Sequence, residues 1–236
     1  MELILASASP RRQEICERMG LSFAVIPAEN EPTPDASLSA EEAVLLVAQS
    51  KAREVAQKHP KATVLGADTA VVITTPQGET LLGKPQNKEH AAEMLRQIQG
   101  TSHRVITAVW VCSPLGEEGF AEQTEVVFDA MTEEDIAAYI ATNEPMDKAG
   151  SYGIQGFGMR YIREIRGDYY TVMGLPAAKT PSGMSLITTL PAPITLFLPI
   201  VTPPIMVVLP PIHTLSPIVT GNAYSRPAIR SSVSSG

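Results

Sequence analysis

Cysteine is nearly missing: only Cys16 and Cys112 occur in 236 residues, far apart in the chain. That excludes a disulfide framework and a C-x-x-C zinc site. Cys16 shares an apolar helix face with Ile15 and Met19, a place for core packing rather than for a nucleophile. The opening MELILASASPRR lacks a basic stretch ahead of a long apolar one, and no N-x-Ser/Thr sequon occurs, so no secretory leader is expected and the cytoplasm is the default location. The histidines His59, His90, His103 and His213 lack H-x-x-x-H and H-E-x-x-H spacing, and no G-x-S-x-G occurs, which removes the familiar zinc-hydrolase and serine-hydrolase patterns. Acidic residues are missing altogether from residues 177–236, which carry only Lys179, Arg226 and Arg230. The net charge of −7 therefore becomes −10 over residues 1–176. A body this acidic does not attract nucleic acid polymers by bulk charge, yet it can hold a local basic pocket for a small anion.

What is present divides at residue 176. Residues 1–176 alternate strand-like and helix-like patterns, with the ordinary composition of a soluble globular domain. Residues 177–236 form an apolar tail holding ten of the 20 prolines. The run 194–212 is long and apolar enough to raise the question of a membrane span, but it contains Pro199, Pro203, Pro204, Pro210 and Pro211. At roughly 3 kcal/mol for each interior proline, a spanning helix is not expected, and a poorly ordered or extended tail is.

The body reads as α/β. Residues 3–6 make a short strand, and Ser9 and Pro10 then suit the N-cap and first position of a helix that Gly20 stops. A second strand is expected over 22–27, a loop over 29–37, and a helix from the capping box of Ser39 and Glu42 to about Lys58. Strands are expected over 63–75, 79–82, 105–112 and 121–130, the last two as a hairpin. Asn87 and Thr132 suit the caps of two further helices, and a glycine-rich loop over 149–158 precedes a strand over 159–165.

Four segments carry chemistry. Ser9-Pro10-Arg11-Arg12 places two guanidinium groups in the first turn of a helix, where the free N–H groups already receive phosphate. Cations there oppose the helix dipole, so an anionic partner is expected; the bland alternative is two solvated arginines. Gly66-Ala67-Asp68-Thr69 puts a carboxylate inside an apolar strand, which is costly unless it is paired or holds a metal. The alternative is a strand-end turn. Gly83-Lys84-Pro85 presents a lysine after a hairpin strand. The run from Gly78 to Lys84 formally fits G-x-x-x-x-G-K, but Pro85 replaces the Mg²⁺-binding hydroxyl and the middle reads as strand, so the match is chance. Finally, the glycines of the segment 147–156 allow close ligand approach, and Gln155 offers an amide donor and acceptor for a base edge.

In order, LASASPRRQEI at 5–15, GADT at 66–69, GKP at 83–85, DKAGSYGIQG at 147–156 and GDYYTVMGLP at 167–176 resemble the Maf family of nucleoside triphosphate pyrophosphatases. The resemblance implies an α/β fold: a long mixed sheet in two lobes, flanking helices and a central substrate cleft. It implies Mg²⁺- or Mn²⁺-dependent cleavage between the α- and β-phosphates of a nucleoside triphosphate, and a homodimer. By resemblance Ser9, Arg11, Arg12, Lys51 and Lys84 hold the triphosphate, and Gln155 contacts the nucleotide. Asp68 is the catalytic acidic residue and a metal ligand, and Glu31 helps hold the metal. Intact SPRR and GSYGIQG resemble the branch favouring dTTP and UTP.

The chain departs from that pattern at three places. Asn30 stands where the family has Asp before Glu31, Ala108 replaces a glycine after Thr107, and the tail from Ala177 replaces a closing C-terminal helix. The alternative to an active enzyme is a nucleotide-binding or interaction module that retains the fold with impaired turnover.

Overall fold

The structure, a computed structural model, describes residues 2–76 and 78–177; of the tail expected over 177–236, all but Ala177 lies outside the described residues. Among the described residues seven strands form one mixed sheet: β1 (Leu3–Leu5), β2 (Ala24–Val25), β3 (Thr63–Thr75), β4 (Gly78–Leu82), β5 (Ser102–Ser113), β6 (Gly116–Phe128) and β7 (Ile162–Arg166). Their order is β2-β1-β3-β5-β6-β7, with β4 also on β3. The β1 pairings with β2 and β3 are parallel and the remaining pairings antiparallel.

Two strands share one edge of β3. Leu3 to Leu5 of β1 pair with Thr63 to Leu65, and β4 pairs with Val71 to Thr75, while β5 runs along the opposite edge. The edge of β3 around Ala67 to Ala70 is thus left without a strand neighbour, and a cleft opens there.

Alternation along β3 and β5 explains the two lobes. On one face Leu65, Ala67, Val109 and Val111 join one apolar cluster, and Val71, Ile73 and Val105 join another. Between them on the same face lies the pair Thr69–Thr107. The first cluster is closed by α1 (Pro10–Arg18) and α5 (Tyr169–Met173), and the second by α3 (Lys88–Ile98) and α4 (Glu133–Ala141). The opposite face is covered by α2 (Ala40–Lys58), whose Ala48 and Ala52 let the helix come close to Gly66.

The cap signals act as their chemistry dictates. Ser39 with Glu42 and Thr132 with Asp135 form reciprocal capping boxes, and the Asn87 side chain accepts from the His90 N–H. Gly20 ends the first helical segment at φ 72°. Some boundaries move. The second strand shrinks to two residues, the hairpin strands lengthen until only Pro114 and Leu115 separate them, and residues 159–161 belong to a 3-10 segment, Gly156–Tyr161, ahead of β7. Among the described residues no helix is long and apolar enough to cross a membrane.

Candidate functional site

The gap in the β3 edge opens into a cleft of about 1060 Å³. All eight residues singled out in the sequence line it: Ser9, Arg11, Arg12, Glu31, Lys51, Asp68, Lys84 and Gln155. They arrive from the β1–α1 turn, the first turn of α1, the loop before α2, α2 itself, β3, the turn after β4 and the glycine-rich loop.

Asp68 is not at a strand end. It sits mid-strand opposite Ala108, with its side chain 19% exposed, on the face covered by α2. From that helix Lys51 donates to Asp68 Oδ1 at 2.8 Å and also meets Glu31 Oε2 at 2.8 Å. Among the described residues, nothing binds the second oxygen of either carboxylate. Two carboxylates held together by one ammonium suit a hard divalent cation, which takes one or two carboxylates plus phosphate oxygens. Among the described residues no group of three or more His, Cys, Asp or Glu side chains gathers to hold a metal, so these two residues would need substrate oxygens to complete a coordination shell. Asn30 turns away from them: its N–H and Nδ2 both donate to Glu54, at 3.0 and 3.3 Å.

Helix α1 supplies the cationic wall. Ser9 adopts the extended conformation of an N-cap without using its side chain as a cap, which leaves the hydroxyl open to the cleft. Among the described residues, the buried Nε of Arg11 has no hydrogen-bond partner. Arg12 is different. It is 8% exposed, and its Nε, Nη1 and Nη2 donate to Gly174 O (2.7 Å), Ser7 Oγ (3.0 Å) and Thr69 Oγ1 (3.1 Å). Burial lowers its pKa from the ordinary guanidinium value, against the opposing pull of Asp68. The bonds continue in one direction: Thr69 Oγ1 lies 2.9 Å from Thr107 Oγ1, which donates to Thr171 O at 2.7 Å. A polar chain therefore crosses the sheet between the two apolar lobes.

Lys84 faces the cleft from the opposite wall, exposed and free of any ion pair among the described residues. The carbonyl of its neighbour Gly83 accepts from the Gly150 N–H at 3.0 Å, tying the end of β4 to the glycine-rich loop. Cys16 lies in the core, where burial pushes its thiol up to about 12, as expected of a packing residue.

Sequence reading did not single out Glu144, Tyr139 or the short helix α5. Glu144 and Lys148 line the cleft, and Lys148 donates to the Glu144 carbonyl and to Asp147. Helix α5 delivers the carbonyls that Arg12 and Thr107 bind. Its signals were present: Asp168 accepts from the Tyr170 and Thr171 N–H groups as an N-cap, and Gly174 stops the helix at φ 111°. Five helical residues were too few to show a period.

Comparison with known proteins identifies the family. Residues 2–185 match the family model described as Maf-like protein. The dTTP/UTP pyrophosphatase of Geobacillus sp. (strain WCH70) is 46% identical over 179 residues, covering 76% of this chain and 94% of that protein. The dTTP/UTP pyrophosphatase of Bacillus velezensis (strain DSM 23117 / BGSC 10A6 / LMG 26770 / FZB42) is 48% identical over 178 residues, covering 75% and 92%. Among solved structures, the Staphylococcus aureus Ham1 protein aligns over 84% of this chain and 91% of that chain, with 14% identity and a TM-score of 0.41, a likeness too distant to inform the site.

Proposed function

The chain belongs to the Maf-like protein family, and on that premise we propose that its cleft hydrolyses nucleoside triphosphates, dTTP, UTP and modified pyrimidine nucleotides foremost, to the monophosphate and pyrophosphate. The observation that carries this reading is the convergence of Ser9, Arg11, Lys51 and Lys84 with the Asp68 carboxylate on one cleft in an otherwise acidic body.

The N-terminus of α1 receives phosphate oxygens through its free N–H groups, the Ser9 hydroxyl and the Arg11 guanidinium, which lines the cleft. Lys84 approaches the same chain of phosphates from the other wall. Asp68, oriented by Lys51, takes a proton from the attacking water as its oxygen bonds to the α-phosphorus. The bond from that phosphorus to the bridging oxygen breaks, and the electron pair leaves with pyrophosphate. Arg11, Lys84 and Lys51 stabilise the charge that builds on the leaving group. Asp68 and Glu31 would hold Mg²⁺ or Mn²⁺ together with phosphate oxygens, and the cation would supply further neutralisation of charge. Gln155 lines the cleft with its side chain bonded to Tyr169, and its amide oxygen and remaining N–H would read the base.

We place the activity in residues 1–176, in a cytoplasmic protein acting on free nucleotides rather than nucleic acid polymers or membranes, as a homodimer by family likeness. The direct test is pyrophosphate release from a panel of nucleoside triphosphates, with Mg²⁺ and with EDTA. Metal-dependent release with monophosphate as co-product, strongest for dTTP and UTP, is the expected result. No release from folded protein across the panel would overturn the reading.

A further inference from the structure

The loop that presents Gln155 is bent in ways that need an outside support. Asn143, Gly150, Ser151 and Gly156 all have positive φ, at 59°, 67°, 61° and 83°, and two of them are not glycine. Glycine adopts such angles freely, whereas at Asn143 and Ser151 they persist only where the surroundings over-determine them. The stretch 153–158 around Gln155 is held by the carboxylate of Glu144. Its Oε2 accepts from the Phe157 N–H at 2.7 Å, and its Oε1 accepts from the Gly158 N–H at 3.0 Å and the Tyr139 hydroxyl at 2.9 Å. The same hydroxyl accepts from the Gly153 N–H at 3.0 Å. Backbone N–H groups on both sides of Gln155 are thus bound by one Tyr139–Glu144 unit. Glu144 is itself fixed, because Lys148 donates to its carbonyl at 2.7 Å. The approach is close enough to require glycine: a Cβ on Gly156 would come within 2.5 Å of Glu144 Oε2.

We propose that Glu144, with Tyr139, is the positioning residue of the base-reading edge: it holds residues 153–158 so that Gln155 meets the nucleobase, and it thereby sets base preference. This rests on the reading of the cleft as a nucleoside triphosphate site. The charge suits the task. A carboxylate forms stronger bonds to N–H groups than a neutral acceptor does. Three donors also occupy it, which turns its charge inward and away from an anionic substrate lying in the same cleft.

The test substitutes Glu144→Gln in the full chain. The amide oxygen can still accept from Tyr139 and Gly158, but an NH₂ group then faces the Phe157 N–H. The readouts are the Kd of a non-hydrolysable α,β-imido UTP by calorimetry, and kcat and KM for UTP and CTP. The expected result is a rise in Kd and KM of about tenfold, the effect of losing roughly one charge-assisted hydrogen bond. The UTP/CTP preference should fall towards one, with kcat altered far less. A folded variant whose Kd and base preference match the wild type overturns the proposal, as does a loss confined to kcat. If Glu144→Gln fails to fold, Tyr139→Phe removes the hydroxyl that joins Gly153 to Glu144. It should shift Kd and preference in the same direction by a smaller factor, and an unchanged preference there overturns the proposal. Wild-type protein that neither binds the analogue nor releases pyrophosphate overturns the parent reading and this one with it. Normal wild-type binding with an indifferent variant overturns this one alone.

Discussion

The Nε–H of Arg12, two residues into the first helix, donates to the carbonyl oxygen of Gly174, just past the last described helix, at 2.7 Å. With its bonds to Ser7 and Thr69, this leaves two of the five guanidinium N–H groups for a ligand. Arg12 is thus as much a tie between distant parts of the chain as a candidate phosphate contact. The family likeness spoke only to the second role.

Arg12→Lys should therefore be costly even without substrate. A lysine ammonium cannot span acceptors arranged for a planar fork, and at least one of Gly174 O, Ser7 Oγ and Thr69 Oγ1 would be left buried and unpaired. A loss of roughly 1–3 kcal/mol in urea unfolding is expected, together with reduced pyrophosphate release. Unaltered stability would show that water replaces those bonds without cost.

Asp68→Asn should remove turnover and spare binding. The amide keeps the shape and can still accept from Lys51, but it cannot take a proton from water. Loss of a general base lowers the rate by roughly 10²–10⁴-fold. Nucleotide affinity measured by calorimetry should change little, and circular dichroism should match the wild type. Loss of fold together with binding would instead make the Lys51–Asp68 pair structural, since it is a partly buried ion pair.

The helix caps were legible because they are local: Ser39 with Glu42 and Thr132 with Asp135 announce their bonds within three residues. Asp68 was legible as a chemical anomaly, a carboxylate in an apolar strand. What sequence could not give was the reason a cleft opens there. That reason is that β1 and β4 share one edge of β3, and sharing an edge is a fact about partners, not about either strand's own pattern. The division of one sheet face at Thr69 and Thr107 likewise depends on the register of β3 against β5. Glu144 escaped notice because its partners at 157 and 158 follow more than ten residues later, beyond the reach of any capping pattern.

Gly66→Ala tests how closely α2 packs on β3. A Cβ there would meet Ala48 O at 2.5 Å and Ala52 N at 2.7 Å, both backbone atoms of the helix that carries Lys51. Neither can yield without moving α2. Overpacking of this kind costs roughly 1–3 kcal/mol, and the moved helix should carry Lys51 off Asp68 and lower kcat. A variant as stable and active as the wild type would show that α2 shifts freely, contrary to the close contact.

His103 should make stability fall in mild acid. The ring is 3% exposed, its Nε2 lies 2.7 Å from the Tyr152 hydroxyl, and Phe128 packs beside it. Burial lowers its pKa from 6.5 to about 4. Between those values the unfolded chain binds a proton that the folded chain refuses, so protonation favours unfolding. The contribution is fully present above pH 6.5 and is lost as the pH falls towards 4. At pH 4.5 the loss relative to pH 7.5 amounts to roughly 2–3 kcal/mol from this group. Carboxylates add their own acid dependence, so the comparison needed is between wild type and His103→Gln, each unfolded in urea at both pH values. Wild type should lose more stability than the variant over that interval, by about the figure above. Equal losses would mean that the folded protein accommodates the imidazolium, through water reaching Nδ1 or a shift of the Tyr152 hydroxyl, and that burial at this site is looser than the packing of Phe128 and Tyr152 implies.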